Sequence, residues 1–180
     1  NVATGAQSLY LNTTGNNNVA TGYQSLKSNT SGNYNIATGT YALYSNTTGI
    51  YNVAIGPISL YLNTTGSNNV AMGYQALFST TGTGNTGIGY KAGYSITSGS
   101  YNVCIGYDSD VPTATGDKQL AISTSGLPNS IPWISGNSSG NVGIGTITPT
   151  AKLDVTGNTN ISGNVNLKGD VVIGEDDSDL

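Results

Sequence analysis

The stretch NIATGTYALYSNTTGIY, residues 35–51, is followed without a break by NVAIGPISLYLNTTGSN, residues 52–68, and this seventeen-residue echo decides the fold. The same anchor opens copies at Asn1, Asn18, Asn35, Asn52, Asn69, Asn85 and Asn102, a step of seventeen residues with one step of sixteen. After the Asn comes Val2, Val19, Ile36, Val53, Val70, Thr86 or Val103, then a small residue, and a Gly closes each anchor, from Gly5 to Gly106. A ladder of Leu9, Leu26, Leu43, Leu60 and Leu77 follows and lapses to Gly93 in the sixth copy. Helical solenoids need about thirty or more residues per unit, so the unit predicts one coil of an all-β solenoid whose copies stack in parallel and bury what no copy buries alone. One strand is expected at the anchor and a second, short one around the Leu. Val53 and Ile55 are expected to share a buried face, with Ala54 against tightly packed backbone on the other. Gly15, Gly32, Gly49 and Gly66, just before the next anchor, read as corner glycines at positive φ.

With Leu pointing inward, strand alternation turns its neighbour outward, which sets up a column of Tyr10, Tyr44, Tyr61, Phe78 and Tyr94 broken by Lys27. A continuous apolar column outside a rod normally marks an interface. These five aromatics are therefore the candidate subunit interface of a homo-oligomer closed by rotational symmetry.

Charge narrows the function. Residues 1–107 hold no Asp, Glu, His or Arg, and Lys27 and Lys91 are their only charged side chains. That stretch offers no carboxylate pair, no His-based triad and no usual metal-ligand set. No catalytic, cofactor or metal residue is assigned and no cofactor is expected. Residues 108–180 carry nine acidic residues and three lysines, a net of −6, the wrong sign for nucleic acid. The run Glu175, Asp176, Asp177 and Asp179 matches no Ca²⁺ loop and reads as a solvated acidic turn. Cys104 fills a slot that is otherwise mostly Ala and reads as a small buried hydrophobe. No apolar run approaches a membrane span and no signal sequence is seen, so membrane insertion is not expected. The chain starts without Met and already in phase with the repeat, which reads as the continuation of a longer protein.

The triplets at Asn12, Asn29, Asn46 and Asn63 fit the glycosylation pattern, yet they recur at the coil period, and a turn role in which Asn and Thr bond backbone groups accounts for them. Gly84, Gly87 and Gly89 lack the helix and Lys of a phosphate loop. An ice-binding lattice needs Thr on a flat strand face; Thr4, Thr21 and Thr38 lie in strands, but Ile55, Met72, Ile88 and Ile105 take over that column, which reads as a core turning from mixed to apolar.

After Gly106 the rhythm fails. The reading is a repeat domain of seven coils over 1–107, an irregular β connector over 108–140 and a fibre shaft over 141–180. Strands are expected at Lys118–Ile122, Ile131–Ile134 and Asn141–Gly145, then short ones around Leu153, Ile161, Val165, Leu167, Val171 and Ile173. None is long enough to close its own core, which points to intertwined chains.

The anchor NVAIG at Asn52–Gly56 resembles the YadA-like head repeat of trimeric autotransporter adhesins, and NVGIGTITPTAKLDV at Asn141–Val155 is similar to a stretch that recurs in bacteriophage tail fibres and related viral fibres. The resemblance implies a left-handed parallel β-roll, a homotrimeric fibre with an intertwined β-rich shaft, and attachment to a host surface from a virion, alongside other fibre or virion proteins. A bacterial surface adhesin is the alternative, with an ice-binding solenoid or part of a polysaccharide-degrading tail spike behind it. Host glycans are the expected receptor class, with Tyr23, Tyr74, Tyr90 and Tyr107, which follow anchor glycines, as candidate contacts.

Overall fold

The computed structural model describes residues 1–123 and 132–162. It is all-β there, and each coil contributes one three-residue strand: β1 (Val2–Thr4), β2 (Val19–Thr21), β3 (Ile36–Thr38), β4 (Val53–Ile55), β5 (Val70–Met72), β6 (Thr86–Ile88) and β7 (Val103–Ile105). These stack in parallel with equivalent residues opposite one another, as in Val53↔Val70, Ala54↔Ala71 and Ile55↔Met72. The parallel stack runs one strand past the residue-107 boundary, because β8 (Leu120–Ile122) pairs Val103↔Leu120 in the same register. Gln119 stands in for the anchor Asn there and its backbone N–H donates to Asn102 Oδ1 at 2.8 Å. The sheet then reverses: β9 (Ile134–Gly136) lies antiparallel on β8, β10 (Val142–Ile144) antiparallel on β9, and β11 (Leu153–Val155) parallel on β10. Among the described residues the middle strand, expected over 131–134, is thus in place only from Ile134 onward. Ile131, Val165, Leu167, Val171, Ile173 and the Glu175–Asp179 run fall outside the described residues.

The strand phase is the reverse of the expected one. Ala20, Ala37, Ala54 and Ala71 are fully buried, whereas Val53 is half-buried and Ile55 is 39% exposed. Lumen width explains the reversal. A methyl group built on Gly87, in the Ala column, would lie 2.8 Å from Leu77 Cγ, so the strand's inner position abuts the leucines and admits only a small side chain. Val and Ile therefore face outward. The column of Thr4, Thr21, Thr38, Ile55, Met72 and Ile88 is an outer surface, not a core.

The leucines do point inward, and Leu26, Leu43, Leu60 and Leu77 are fully buried, but no strand carries them. Leu43 has φ 51° and Tyr41 φ 59°, and the same left-handed pair recurs as Gln24 and Leu26, Ile58 and Leu60, and Gln75 and Leu77. These conformations cost about 1–2 kcal/mol per residue. Burial of a Leu side chain returns about 1.5–3 kcal/mol, and the bend keeps the amides bonded between coils: Leu26 N–H donates to Ala42 O at 3.0 Å and Gln24 N–H to Ala6 O, on the opposite neighbour, at 2.9 Å. The left-handed backbone recurs in this segment, at the anchor glycines, such as Gly39 at φ 139°, and at the residue just before each anchor, such as Tyr34 and Tyr51 at φ 58°. Gly15, Gly32, Gly49 and Gly66 are not at positive φ; they are required by close approach, since a Cβ on Gly32 would meet the carbonyl of Gly49 and lie 2.8 Å from Asn46 Nδ2.

Two buried amide columns complete the core. In one, the N–H of each anchor Asn donates to the Oδ1 of the anchor before it, as Asn52 to Asn35 at 3.0 Å, while its Nδ2 donates to a corner carbonyl, Gly66 O at 2.8 Å. In the other, Asn46 Nδ2 donates to Asn29 Oδ1 at 2.8 Å and to Gly49 O at 3.1 Å. Asn29, Asn46 and Asn63 are fully buried, so their amides serve the turn. This second column stops at Asn63, whose Oδ1 is buried without a partner, because Thr80 and then Ile96 occupy the next two slots. Ile96 repairs the core where Leu lapses: a Cβ on Gly93 would fall 3.2 Å from Ile96 Cδ1 and 2.7 Å from Leu77 Cδ2. Cys104 is fully buried, and burial pushes its thiol well above the ordinary range.

Candidate functional site

Three columns run side by side along one flank of the rod, set by the left-handed turn after each anchor Gly. Counting the anchor Asn as position 1, position 6 holds Tyr23, Thr40, Pro57, Tyr74, Tyr90 and Tyr107; position 7 holds Gln24, Tyr41, Ile58, Gln75, Lys91 and Asp108; position 10 holds Lys27, Tyr44, Tyr61, Phe78 and Tyr94. Because the coils stack in register, like rings meet.

Tyr44–Tyr61, Tyr61–Phe78 and Phe78–Tyr94 stack at centroid distances of 5.1, 5.5 and 5.1 Å. Tyr10, 65% exposed, stands apart from this stack because Lys27 intervenes and places its ammonium 5.5 Å from the Tyr44 ring centre. Of the candidate receptor contacts, Tyr74, Tyr90 and Tyr107 form a second stack, at 5.5 and 4.8 Å. Tyr23 is not in it; Thr40 and Pro57 separate the two, and Tyr23 meets Tyr41 edge-on at 5.4 Å. Stacking along the axis occupies ring faces, so outward the columns offer mainly ring edges and hydroxyl groups.

Position 7, which the repeat pattern does not single out, divides the flank. Tyr41 fills the space between the columns, edge-on to Tyr44 at 5.8 Å and to Tyr61 at 6.2 Å. At coils five to seven the same slots hold Gln75, Lys91 and Asp108. The Lys91 ammonium lies 5.5 Å from the Tyr90 ring centre and 5.4 Å from that of Tyr94, bridging the two stacks by cation–π attraction. Both charged side chains of residues 1–107 therefore sit on this flank. No residue type announces the left-handed turn that brings positions 6, 7 and 10 together, and for that reason position 7 has no signature in the sequence.

A separate cleft of about 330 Å³ lies where the seventh coil meets the reversed strands, lined by Pro112, Thr113, Gln119, Asn137, Ile147 and Pro149. Its buried amide is engaged by the fold, since Gln119 Nε2 donates to Thr113 O and Gly116 O at 2.8 and 2.9 Å. Among the described residues no group of three or more His, Cys, Asp or Glu is placed to hold a metal ion, and no helix is long and apolar enough to cross a membrane. The chain matches no family model, no curated protein and no solved structure.

Proposed function

We propose that this chain is a structural and receptor-binding segment of a homotrimeric viral tail fibre that attaches to a host surface without degrading it. The observation that carries the reading is the outer face of the sheet. Its two columns, Val2 to Leu120 and Thr4 to Ile122, contain no charged residue over eight parallel strands, a length of about 34 Å at the usual strand spacing. Val19, Ile36, Ile55, Met72, Ile88 and Ile105 stay between 36% and 41% exposed in the single chain. An uncharged strip of this extent, apolar except at Thr4, Thr21, Thr38 and Thr86, is an interface signature, and a second and third copy of the same strip bury it symmetrically. The interface belongs on this face in preference to the Tyr44–Tyr94 column, whose rings already cover one another. Farther along the chain, Trp133, Leu153 and Ile161 are 60–63% exposed, in keeping with a shaft in which neighbouring chains supply the cover. The resemblance to trimeric fibres sets the number at three.

Light scattering and native mass measurement on the purified chain test the assembly, with three chains expected and a stable single chain contradicting it. Attachment is tested by binding to intact host cells, with no oligosaccharide released. Binding nowhere would leave a spacer, and released fragments would make the segment enzymatic.

A further inference from the structure

We propose that the cleft where the seventh coil meets the reversed strands is a socket for the Trp133 indole of a neighbouring copy of this chain. The inference rests on the trimeric reading and names what fills the cleft when three chains close around one axis. The shared face reaches the level of the cleft without a break. Across the reversal its two columns stay in phase: Gly136, Val142 and Leu153 continue the Leu120 column, and Ile134, Ile144 and Val155 continue that of Ile122. Ser135, between Ile134 and Gly136, is fully buried, so its two neighbours face outward. Ile134, Val142, Ile144 and Leu153 are exposed in the single chain, and no charged residue enters either column.

At this level the two edges of the sheet differ in kind. Because β9 runs antiparallel to β8, it starts at the edge where β8 ends and ends at the edge where β8 starts. Trp133, just before β9, donates its backbone N–H to Ile122 O at 2.9 Å and leaves its side chain 63% exposed. At the opposite edge Gly136, Asn137 and Ser138 leave the strand and border the cleft of about 330 Å³. Three sheets that face one axis meet edge to edge, and in cyclic symmetry each edge meets the opposite edge of its neighbour. An uncovered indole and a cleft, at one height and on opposite edges, are thereby brought together at all three corners.

The cleft suits that occupant. Pro112, Ile147 and Pro149 give it apolar walls, and hydrogen bonds hold the walls in shape. Asn137 and Asn141 each donate from Nδ2 to Pro149 O at 3.1 Å, while Gln119 ties down Thr113 and Gly116 on the other side. Its volume stands at the small end of the range for ligand clefts, about 300–1,000 Å³, which fits one bicyclic ring better than an extended ligand. A buried indole N–H needs an acceptor. Asp117, exposed at the cleft, takes the Ser100 N–H on Oδ1 at 2.7 Å, and its Oδ2 makes no hydrogen bond among the described residues.

Paired thiols in the full chain test the contact. Within one chain β9 keeps residues 133 and 138 more than about 10 Å apart, and Cys104 is fully buried. A double variant, Trp133→Cys with Ser138→Cys, treated with a bis-maleimide of shorter reach, should give covalently linked trimers on a denaturing gel, while each single variant stays unlinked. Trp133 is the only tryptophan, so its fluorescence reports on the socket directly. In the parent trimer its emission should lie at short wavelength and resist acrylamide; Pro112→Asp, which puts a charge on an exposed wall, should make quenching at least threefold stronger. A double variant that stays unlinked, Trp133→Cys chains that link without Ser138→Cys, or a parent indole quenched as freely as with Pro112→Asp would each refute the socket. If light scattering still finds three chains in such a case, the trimeric reading stands and only the socket falls. If the parent is a single chain, that reading fails and the socket with it.

Discussion

At the scale of single residues, the rod is held by positions where two coils touch through backbone alone. Gly39 combines both constraints, with φ 139° and a Cβ that would fall 2.6 Å from the carbonyl carbon of Gly56. Gly157 has a similar φ of 124° but nothing within 4 Å of its Cβ. Ala at either site meets the same backbone strain, and only Gly39→Ala adds the collision. Thermal melts should show Gly39→Ala more destabilising than Gly157→Ala by about 2 kcal/mol or more; equal losses would mean that coils do not interlock there. Asp110 is a residue-scale liability of a different sort. Burial pushes its carboxyl above the ordinary range, and the N–H groups of Ser95 and Val111, which donate to it at 2.9 and 3.0 Å, only partly offset that. With the folded value raised, the stability linked to this proton is fully present below the unfolded carboxyl value of about 3.9 and is lost as pH rises through the folded value. The parent chain should therefore gain on Asp110→Asn as pH falls from 7 toward 4 in denaturant titrations, and a stability difference constant across that range would refute it.

At the scale of the coil, the amide columns do what a second strand was expected to do. Each interior Asn of the second column gives one amide to its neighbour and takes another, and the column ends because Thr80 and Ile96 stand where two more Asn belong. The end makes a graded prediction. Asn46→Ala strips Asn29 Oδ1 and Gly49 O of a donor and takes the acceptor of Asn63 Nδ2, whose bond is 3.0 Å; Asn63→Ala removes an oxygen that has no partner to begin with. Asn46→Ala should cost more than Asn63→Ala by about 1 kcal/mol, one buried hydrogen bond, measured as the difference between their unfolding midpoints. Equal costs would mean that the amides are not chained. Much of the coil is legible in the spacing of its residues: a fixed period puts each residue over its own kind, so the inward Leu column, the aromatic rows and the turn role of Asn all follow. The strand phase does not follow, since Val53-Ala54-Ile55 alternates equally well either way and only the width of the lumen, set by leucines across from it, picks Ala for the inside. Nor does the backbone at Tyr41 and Leu43 follow, because these residue types rarely adopt positive φ.

At the scale of the whole molecule, the same inversion of phase moves the apolar surface from core to exterior, and this sharpens the test of assembly. Ile55 and Ala54 are adjacent in β4, yet they belong to different structures: Ala54 to the lumen of one chain, Ile55 to the face the trimer would share. Ala54→Asp buries a carboxylate within the coil and should abolish folding at any protein concentration. Ile55→Asp leaves a single chain with a solvated carboxylate on an outer strand and little local cost. In the proposed trimer it would bring three carboxylates onto a dry shared face, where unpaired charge costs several kcal/mol. The parent's melting temperature should rise with protein concentration, as it does when folding and association are linked. Ile55→Asp should fold, scatter light as one chain, and melt at a temperature independent of concentration. If Ile55→Asp instead assembles like the parent, the sheet face is not the shared surface and the interface must be sought elsewhere, first on the Tyr44–Tyr94 column.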